Sequence, residues 1–250
     1  MLHRVTGIFP VAVFTNNFRK GQSSMSKVHL IGGEKGGVGK SVVSRLLAQY
    51  CIDNAMPFSV VDADRSHGAM KRFYSEFANE GDLDNFETTD LILQLALDKD
   101  QRVIVDLPAQ SDRLLANWMA RNGIIELAAE NQIPITFWHI MDDGKDSLGL
   151  LHSTLTTYGS SVNYCVVKNL GRGNNFAAFD KSETKNMVEQ LHGKIIVLDE
   201  LHKPTMQKID LMNASFWNAI NNKDGLGLIE RHRVKVWQRN AFKEFARAGI

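Results

Sequence analysis

Residues 33–41 read GEKGGVGKS, and this stretch decides the fold of the chain. A short apolar run at 28–31 precedes it, and apolar residues at helical spacing follow it over 40–52. In a strand–turn–helix unit, glycines let backbone N–H groups converge on an anion at the positive end of the helix dipole. The stretch therefore predicts a phosphate-binding loop.

Each residue type in this loop has an expected task. The Lys40 ammonium can reach the β- and γ-phosphates of a nucleotide, and Ser41 can offer its hydroxyl to Mg²⁺. The general pattern for such loops, GxxxxGK[ST], has a glycine where this chain has Glu34. The predicted nucleotide-binding residues of the loop are Gly36, Gly37, Val38, Gly39, Lys40 and Ser41.

Short apolar runs alternate with longer amphipathic stretches along the rest of the chain. Strands are predicted at 28–31, 58–61, 103–105, 133–140, 162–167 and 195–198, and helices at 40–52, 69–77, 111–131, 145–157 and 227–248. This alternation is typical of an α/β fold in which helices cover both faces of a mostly parallel central sheet. Because no repeat or linker interrupts it, we expect a single domain over 25–250.

Composition narrows the classes of function. The 250 residues are 44% hydrophobic, which suits a sizeable core, and the formal net charge of +1 favours no particular partner. The cysteines Cys51 and Cys165 lie far apart and outside any CxxC pattern. A disulfide framework, a zinc site and an iron–sulfur cluster are therefore not expected, and a cytoplasmic location fits.

Residues 1–24 are predicted to be an extension outside the domain. Their apolar run at 5–14 follows Arg4 and faintly suggests a signal peptide, but Pro10 interrupts it and no clear cleavage site follows. Met25 directly precedes the first predicted strand, so an upstream start that is not used is the other interpretation. No run approaches the roughly 18 apolar residues of a membrane span, so no integral membrane segment is expected.

Three aspartates follow predicted strands. Asp62 and Asp64 come after the second strand, and Asp106 follows the β-branched run at 103–105. Ligands of parallel sheets gather at the carboxyl ends of the strands, so these side chains can face the bound phosphates. A buried carboxylate needs a partner, and water-bridged Mg²⁺ would supply one for Asp106. Alternatively, each aspartate caps the turn that follows its strand.

Residues 35–41, KGGVGKS, resemble the deviant Walker A motif KGGxGK[ST] of the P-loop ATPase superfamily that includes plasmid-partition ParA and cell-division MinD. Every specified position of that motif matches. The resemblance implies a homodimer that forms on ATP, in which the extra lysine, Lys35, reaches the nucleotide of the other subunit and neutralises charge there. A solvated loop lysine is the alternative.

The same resemblance implies roles for polar residues at the strand ends. Asp62 would support Mg²⁺ through water, Asp64 would orient or activate the attacking water, and Asp106 would be the Walker B aspartate. The chain continues after Asp64 with Arg-Ser, where the ParA branch usually has Pro-Gln. Asn169 would hydrogen-bond adenine, although an asparagine at a strand end is also a common turn former. No NKxD guanine motif is present, which favours ATP over GTP.

The stretch 227–248 is predicted to be one amphipathic helix. Its apolar residues at 234, 237, 241, 245 and 248 would pack on the core. Its basic residues recur every four positions and would form a slowly winding stripe: Arg231, Lys235, Arg239, Lys243 and Arg247. The stripe is interpreted either as a solubilising surface or as a weak surface for nonspecific DNA binding.

The layout most resembles the short ParA-like ATPases encoded with plasmid mobilisation and conjugal-transfer genes. The matching stretches are KVHL at 27–30 with its phosphate loop, and the segment from LDEL at 198–201 to Thr205 and Met206. The resemblance implies an ATPase that binds Mg-ATP, dimerises on it, hydrolyses it slowly and works with a protein adaptor in DNA transfer or partition. The alternatives are a nucleotide-dependent scaffold that does not hydrolyse ATP and a MinD-like positioning protein.

Overall fold

A computed structural model describes residues 27–33, 35–64 and 68–250 of the chain. Three segments discussed above lie outside the described residues: the predicted extension 1–24, Glu34 of the phosphate loop, and the Arg-Ser pair after Asp64. All the residues predicted above to bind nucleotide or metal lie within them.

The strands of the described residues are β1 (Lys27–Gly32), β2 (Phe58–Asp62), β3 (Ala78–Glu80), β4 (Arg102–Asp106), β5 (Ile135–Met141), β6 (Asn163–Asn169) and β7 (Lys194–Leu198). They form one sheet in the order β3–β2–β4–β1–β5–β6–β7, and every neighbouring pair is parallel. The predicted α/β class is therefore confirmed. Since β1 lies in the middle of the sheet, the loop that follows it emerges between strands on both sides.

The α-helices of the same residues are α1 (Lys40–Asp53), α2 (Ala69–Phe73), α3 (Phe86–Asp98), α4 (Asp112–Arg121), α5 (Ile124–Glu130), α6 (Lys145–Tyr158), α7 (Ala177–Asp180), α8 (Glu183–Gln190), α9 (Lys203–Leu211), α10 (Phe216–Asn221) and α11 (Leu228–Ala248). Helices α3 to α8 cover one face of the sheet, and α1, α2 and α9 to α11 cover the other. Side chains alternate between the faces along each strand. On β4, Val103 and Val105 enter the first core and Ile104 the second, as predicted for a strand buried on both faces.

Two predicted helices have different bounds in the structure. The single helix predicted over 111–131 is wrong, because Gly123 adopts a left-handed conformation with φ of 57° and separates α4 from α5. Apolar spacing continues across this break, so the pattern did not reveal it. The helix predicted over 69–77 ends at Phe73, where Tyr74 leaves the helix and donates its hydroxyl to Gln49 Oε1 at 3.1 Å.

Several elements of the structure were not predicted from the sequence. Helix α3 is one of them, although Asn85 caps it by accepting the Glu87 N–H at 2.9 Å. Of the tryptophans, Trp118 and Trp138 are fully buried, whereas Trp217 is 49% exposed.

Helix α11 packs its predicted apolar face on the sheet and also covers the outer edge of β7. The Glu244 carboxylate accepts the Val197 N–H at 3.0 Å, and Arg247 donates to the Ile195 carbonyl at 3.1 Å and to Glu244. These contacts satisfy backbone groups that an edge strand would otherwise expose. No helix in the described ranges, α11 included, is long and apolar enough to cross a membrane.

Candidate functional site

The phosphate loop leaves the end of β1 under tight steric constraints. Gly33 has φ of 124°, and a Cβ there would lie 2.7 Å from the Ile140 carbonyl oxygen, so only glycine fits against β5. Gly39 has φ of 103°, and a Cβ there would collide with the Asn169 carboxamide. That carboxamide donates to the Val38 carbonyl at 2.7 Å. The loop is therefore held between β5 on one side and the end of β6 on the other.

The Lys40 ammonium lies inside the loop. Its Nζ donates to the Gly33 carbonyl at 2.9 Å and to the Lys35 carbonyl at 3.1 Å. The residue is 8% exposed, so its cation is fixed by backbone oxygens at the start of the loop. This position lets one side chain meet an anion bound by the loop N–H groups.

The Asp62 and Asp106 carboxylates end neighbouring strands at the same level, since these residues are paired in the β2–β4 register. Asp106 accepts a hydrogen bond from Ser44 Oγ at 2.8 Å and another from the Ser41 hydroxyl. Asp62 Oδ2 accepts the Lys71 N–H at 3.0 Å. The second oxygen of each carboxylate, Asp62 Oδ1 and Asp106 Oδ2, is buried without a hydrogen-bond partner.

Burial dominates the electrostatics of these carboxylates. It raises the pKa of Asp106 to about 7, against the opposing hydrogen bonds from Ser44 and Ser41, and the nearby charges of Asp62 and Asp64 add to the rise. Burial likewise raises the pKa of Asp62 above its usual range. Both groups would ionise more readily beside a cation, because opposite charge lowers a carboxyl pKa.

The donor set fits Mg²⁺ better than a metal with an all-protein cage. Within the described residues, no group of three or more His, Cys, Asp or Glu side chains could hold a metal ion. Mg²⁺ typically takes only one or two carboxylates, with water and phosphate oxygens as its other ligands. Ser41, Asp62 and Asp106 provide a hydroxyl and two orphaned carboxylate oxygens beside the phosphate loop, and this set meets that requirement.

Lys35 lies in an ion pair within its own chain. Its Nζ is 2.6 Å from Asp142 Oδ2, in the loop after β5, and the hydrogen bond with Asp142 raises the pKa of Lys35. Burial pushes the pKa of Asp142 upward, but contacts from Lys35, the Ser147 hydroxyl and the Gly144 N–H together hold it below its usual range. The lysine side chain keeps 35% of its surface exposed.

A cavity of about 240 Å³ adjoins the end of the phosphate loop. Gly39 and Asn169 line one side of it, and Asp199 and Leu201 in the loop after β7 line another. Asn169 is 5% exposed and uses its Nδ2 on Val38 and its Oδ1 on the Gly171 N–H at 3.0 Å. The residue predicted to bind adenine thus lies at this cavity while it also ties the phosphate loop to β6.

The structure adds residues to the site that sequence analysis did not assign. Asp142 directly follows β5, and its ion pair with Lys35 was not predicted from the sequence. Ser44 lies one helical turn after Lys40 and reaches Asp106 across 62 positions of sequence. Its spacing from Ser41 was a usable signal, since residues three apart lie on the same face of a helix. Asp64 is half-buried at the end of the described segment, where its backbone N–H bonds Asp62 and lowers the pKa of that carboxyl while its charge raises it.

Comparison with known proteins gives two curated relatives of low identity. Protein MobD of Acidithiobacillus ferrooxidans is 24% identical over 222 residues, which cover 86% of this chain and 95% of MobD. Protein TraL of Escherichia coli is 26% identical over 241 residues, which cover 90% of this chain and all of TraL. No family model matches the chain.

Two solved structures share the fold at lower identity. The MinD cell division protein of Aquifex aeolicus superposes with a TM-score of 0.51 at 13% identity, over 87% of this chain and 97% of its own. A nucleotide-binding protein of Archaeoglobus fulgidus, solved in complex with ADP, has a TM-score of 0.50 at 11% identity, over 75% of this chain and 87% of its own. The predicted parallel α/β fold and its resemblance to the fold of MinD are therefore confirmed, and MobD and TraL align with this chain over nearly their whole lengths.

The raised pKa of Asp106 predicts a pH-dependent stability for the nucleotide-free chain. The folded state holds this proton up to about pH 7, whereas the unfolded state releases it near 3.8. Between these values the folded state binds more protons, so its free energy of unfolding falls as pH rises. Asp106→Asn should remove this fall and be the more stable form at pH 8, by on the order of a few kcal/mol.

Urea unfolding in EDTA between pH 4 and pH 8 checks this. The matched control is Asp98→Asn, which changes an exposed residue at the end of α3 and should leave the pH slope of the parent unchanged. Equal slopes for Asp106→Asn and the parent would show that Asp106 ionises normally in the fold.

Proposed function

We propose that this chain is a ParA-like ATPase, which binds Mg-ATP in the loop at 36–41 and dimerises on it. The observation that carries the proposal is the arrangement at the carboxyl end of the sheet. The Lys40 cation lies inside the loop after β1, and Asp62 and Asp106 at the ends of β2 and β4 each keep a buried carboxylate oxygen without a hydrogen-bond partner. The Lys40 cation can neutralise negative charge on a bound triphosphate, and the two carboxylates can help to bind the Mg²⁺ that accompanies it. The ADP complex of the Archaeoglobus fulgidus protein supports a nucleotide as the ligand.

Different residues of the chain would bind the phosphates, hold Mg²⁺ and activate the attacking water. Loop N–H groups and Lys40 would bind the phosphates, and Ser41, Asp62 and Asp106 would hold Mg²⁺. The bound Mg²⁺ would neutralise charge on the phosphate oxygens. Asp64 orients the attacking water and accepts its proton, because it emerges at the same strand end beside the described site.

The biological setting that we propose is plasmid mobilisation or conjugal transfer, with DNA partition as the near alternative. MobD and TraL support this branch because each aligns over nearly its whole length with this chain. A protein adaptor would supply the cargo, and it would stimulate a slow intrinsic hydrolysis.

Loss of the Lys40 charge should abolish most of the ATP affinity. Hydrogen bonds to charged groups contribute about 1.5–3 kcal/mol, so Lys40→Ala should weaken Mg-ATP binding by about 10- to 100-fold. Isothermal titration calorimetry measures this directly. The control is Lys185→Ala, which removes a partly exposed lysine paired with Glu189 on α8 and should bind ATP like the parent. Parent-like binding by Lys40→Ala would mean that the loop is not the nucleotide site.

The Lys35–Asp142 ion pair predicts how ATP-dependent dimerisation is restrained. Lys35 must leave Asp142 before it can reach the nucleotide of the other subunit. In an Asp64→Ala background that blocks hydrolysis, Lys35→Ala should reduce the dimers that sedimentation velocity detects with Mg-ATP. Asp142→Asn should increase them, since it weakens the competing contact within the chain.

Two further measurements make this test specific. The Mg-ATP affinities of monomeric Lys35→Ala and Asp142→Asn should lie within a few-fold of the parent's affinity. Neither side chain is proposed to contact the phosphates bound by the loop of its own chain. With Asp64 restored, Lys35→Ala should also lower steady-state phosphate release. A chain that stays monomeric at micromolar concentration with ATP contradicts the two-subunit mechanism, and a dimer without phosphate release favours the non-hydrolysing scaffold.

The basic stripe of α11 is proposed as a weak surface for nonspecific DNA binding, smaller than the sequence implied. Arg231 is only partly exposed, and Arg247 bonds Glu244 and β7. The remaining members of the stripe, Lys235, Arg239 and Lys243, are exposed. An ATP-dependent dimer would present this surface twice.

Charge reversal on α11 tests that surface. Arg239→Glu with Lys243→Glu should weaken DNA binding in the presence of ATP. It should also reduce the slope of log affinity against log salt by about one unit for each phosphate that the variant no longer neutralises. Fluorescence anisotropy over a salt series measures both quantities. Lys181→Glu with Lys185→Glu, near α8, is the control of equal charge change. If the two double variants behave alike, α11 has no part in DNA binding and adaptor recognition becomes its preferred role.

A further inference from the structure

The cavity beside the phosphate loop is lined in part by a segment that α11 contacts. Asp199 and Leu201 belong to the connection between β7 and α9, and they line the cavity together with Gly39 and Asn169. The Trp237 indole N–H of α11 donates to the Asp199 carbonyl at 2.7 Å. This bond ties the backbone of the connection to α11.

A second bond acts on the same residue. Asn240 Nδ2, one turn further along α11, donates to Asp199 Oδ2 at 3.1 Å. Asp199 is thus held by both its backbone and its side chain from one helix face. Trp237 is 5% exposed, itself lines the cavity, and packs edge-on against Phe216 at 5.1 Å between ring centroids.

The helix that makes these bonds is itself anchored to the nucleotide-binding helix. Gln238, the residue after Trp237, donates to Asp53 Oδ2 at 2.9 Å, at the end of α1. Helix α1 begins at Lys40, directly after the glycines of the phosphate loop. Helix α11 therefore joins α1 to the connection at Asp199, which directly follows Leu198, the residue paired with Asn169 in the β6–β7 register.

We infer that Trp237 and Asn240 are positioning residues for the nucleotide base. They do not touch the phosphates. They hold the connection at Asp199 in the conformation that it has beside the cavity, so their contribution is specific to ligands that carry a base. The inference rests on the proposed nucleotide binding, and it adds a role for α11 that is independent of DNA.

The test compares Mg-ATP with magnesium tripolyphosphate, which presents the same phosphates without a base. The parent should bind ATP more tightly than tripolyphosphate. A neutral hydrogen bond contributes about 0.5–1.5 kcal/mol, so Trp237→Phe, which keeps an aromatic ring but loses the N–H, should weaken ATP binding by about two- to tenfold. Its affinity for tripolyphosphate should stay unchanged.

Asn240→Ala is the second variant, because Asn240 lies outside the buried core and its change should not affect folding. It should weaken ATP binding in the same direction by a smaller factor, again without effect on tripolyphosphate. Ile229→Ala, a change at an exposed residue in the first turn of the same helix, is the matched control and should alter neither affinity. Calorimetric titration gives all the affinities, and thermal unfolding without ligand reports whether each variant is folded.

The outcomes separate this inference from the proposed function. Equal losses for ATP and tripolyphosphate in Trp237→Phe, or no loss for either, would overturn the positioning role while the phosphate site stands. A parent that binds both ligands equally would overturn it as well, because the base would then make no contribution. A parent that binds neither ligand removes the proposed function and this inference with it.

Discussion

Asp106 lies fully buried at the carboxyl end of β4, with one oxygen bonded to Ser44 and the other without a hydrogen-bond partner. Burial of a half-satisfied carboxylate is unfavourable, and the raised pKa expresses that cost. The rest of the site is built around it. Asp62 ends the adjacent strand at the same level, and Ser41 and Ser44 approach from α1. A hard cation beside these groups would relieve the cost, which links ligand binding to the stability of the central sheet.

In the proposed dimer, the position of Lys35 would let the same loop contribute to the sites of two subunits. Its carbonyl accepts from Lys40, so its backbone belongs to the phosphate site of its own chain. Its side chain points instead to Asp142, where a charged hydrogen bond in a partly exposed setting holds it. Such a contact is strong enough to define a resting position and weak enough to be exchanged for a phosphate group. Charge on the second nucleotide, rather than a large rearrangement, would drive the exchange.

Helix α11 shows why one element can have several apparent roles. Its apolar face completes the second core, Glu244 and Arg247 satisfy the edge of β7, and Trp237 and Asn240 hold the wall of the cavity. Its outward face carries Lys235, Arg239 and Lys243. Sequence periodicity separated the apolar face from the basic stripe. It did not indicate that Arg247 serves the sheet edge, because an edge strand is defined only when all strands are assembled.

The sequence by itself determined the parallel α/β class, the phosphate loop and the strand-end position of Asp62 and Asp106. Those features are local: they depend on glycines, apolar runs and the residue that follows a strand. The break at Gly123 is local too, yet it was missed because apolar spacing persists on both sides. Only the tertiary structure paired Lys35 with Asp142, Ser44 with Asp106 and Trp237 with Asp199. The two residues of each pair lie 38 to 107 positions apart in the sequence. The order of the strands in the sheet decides which strand ends and helix faces come together, and no local pattern in the sequence indicates that order.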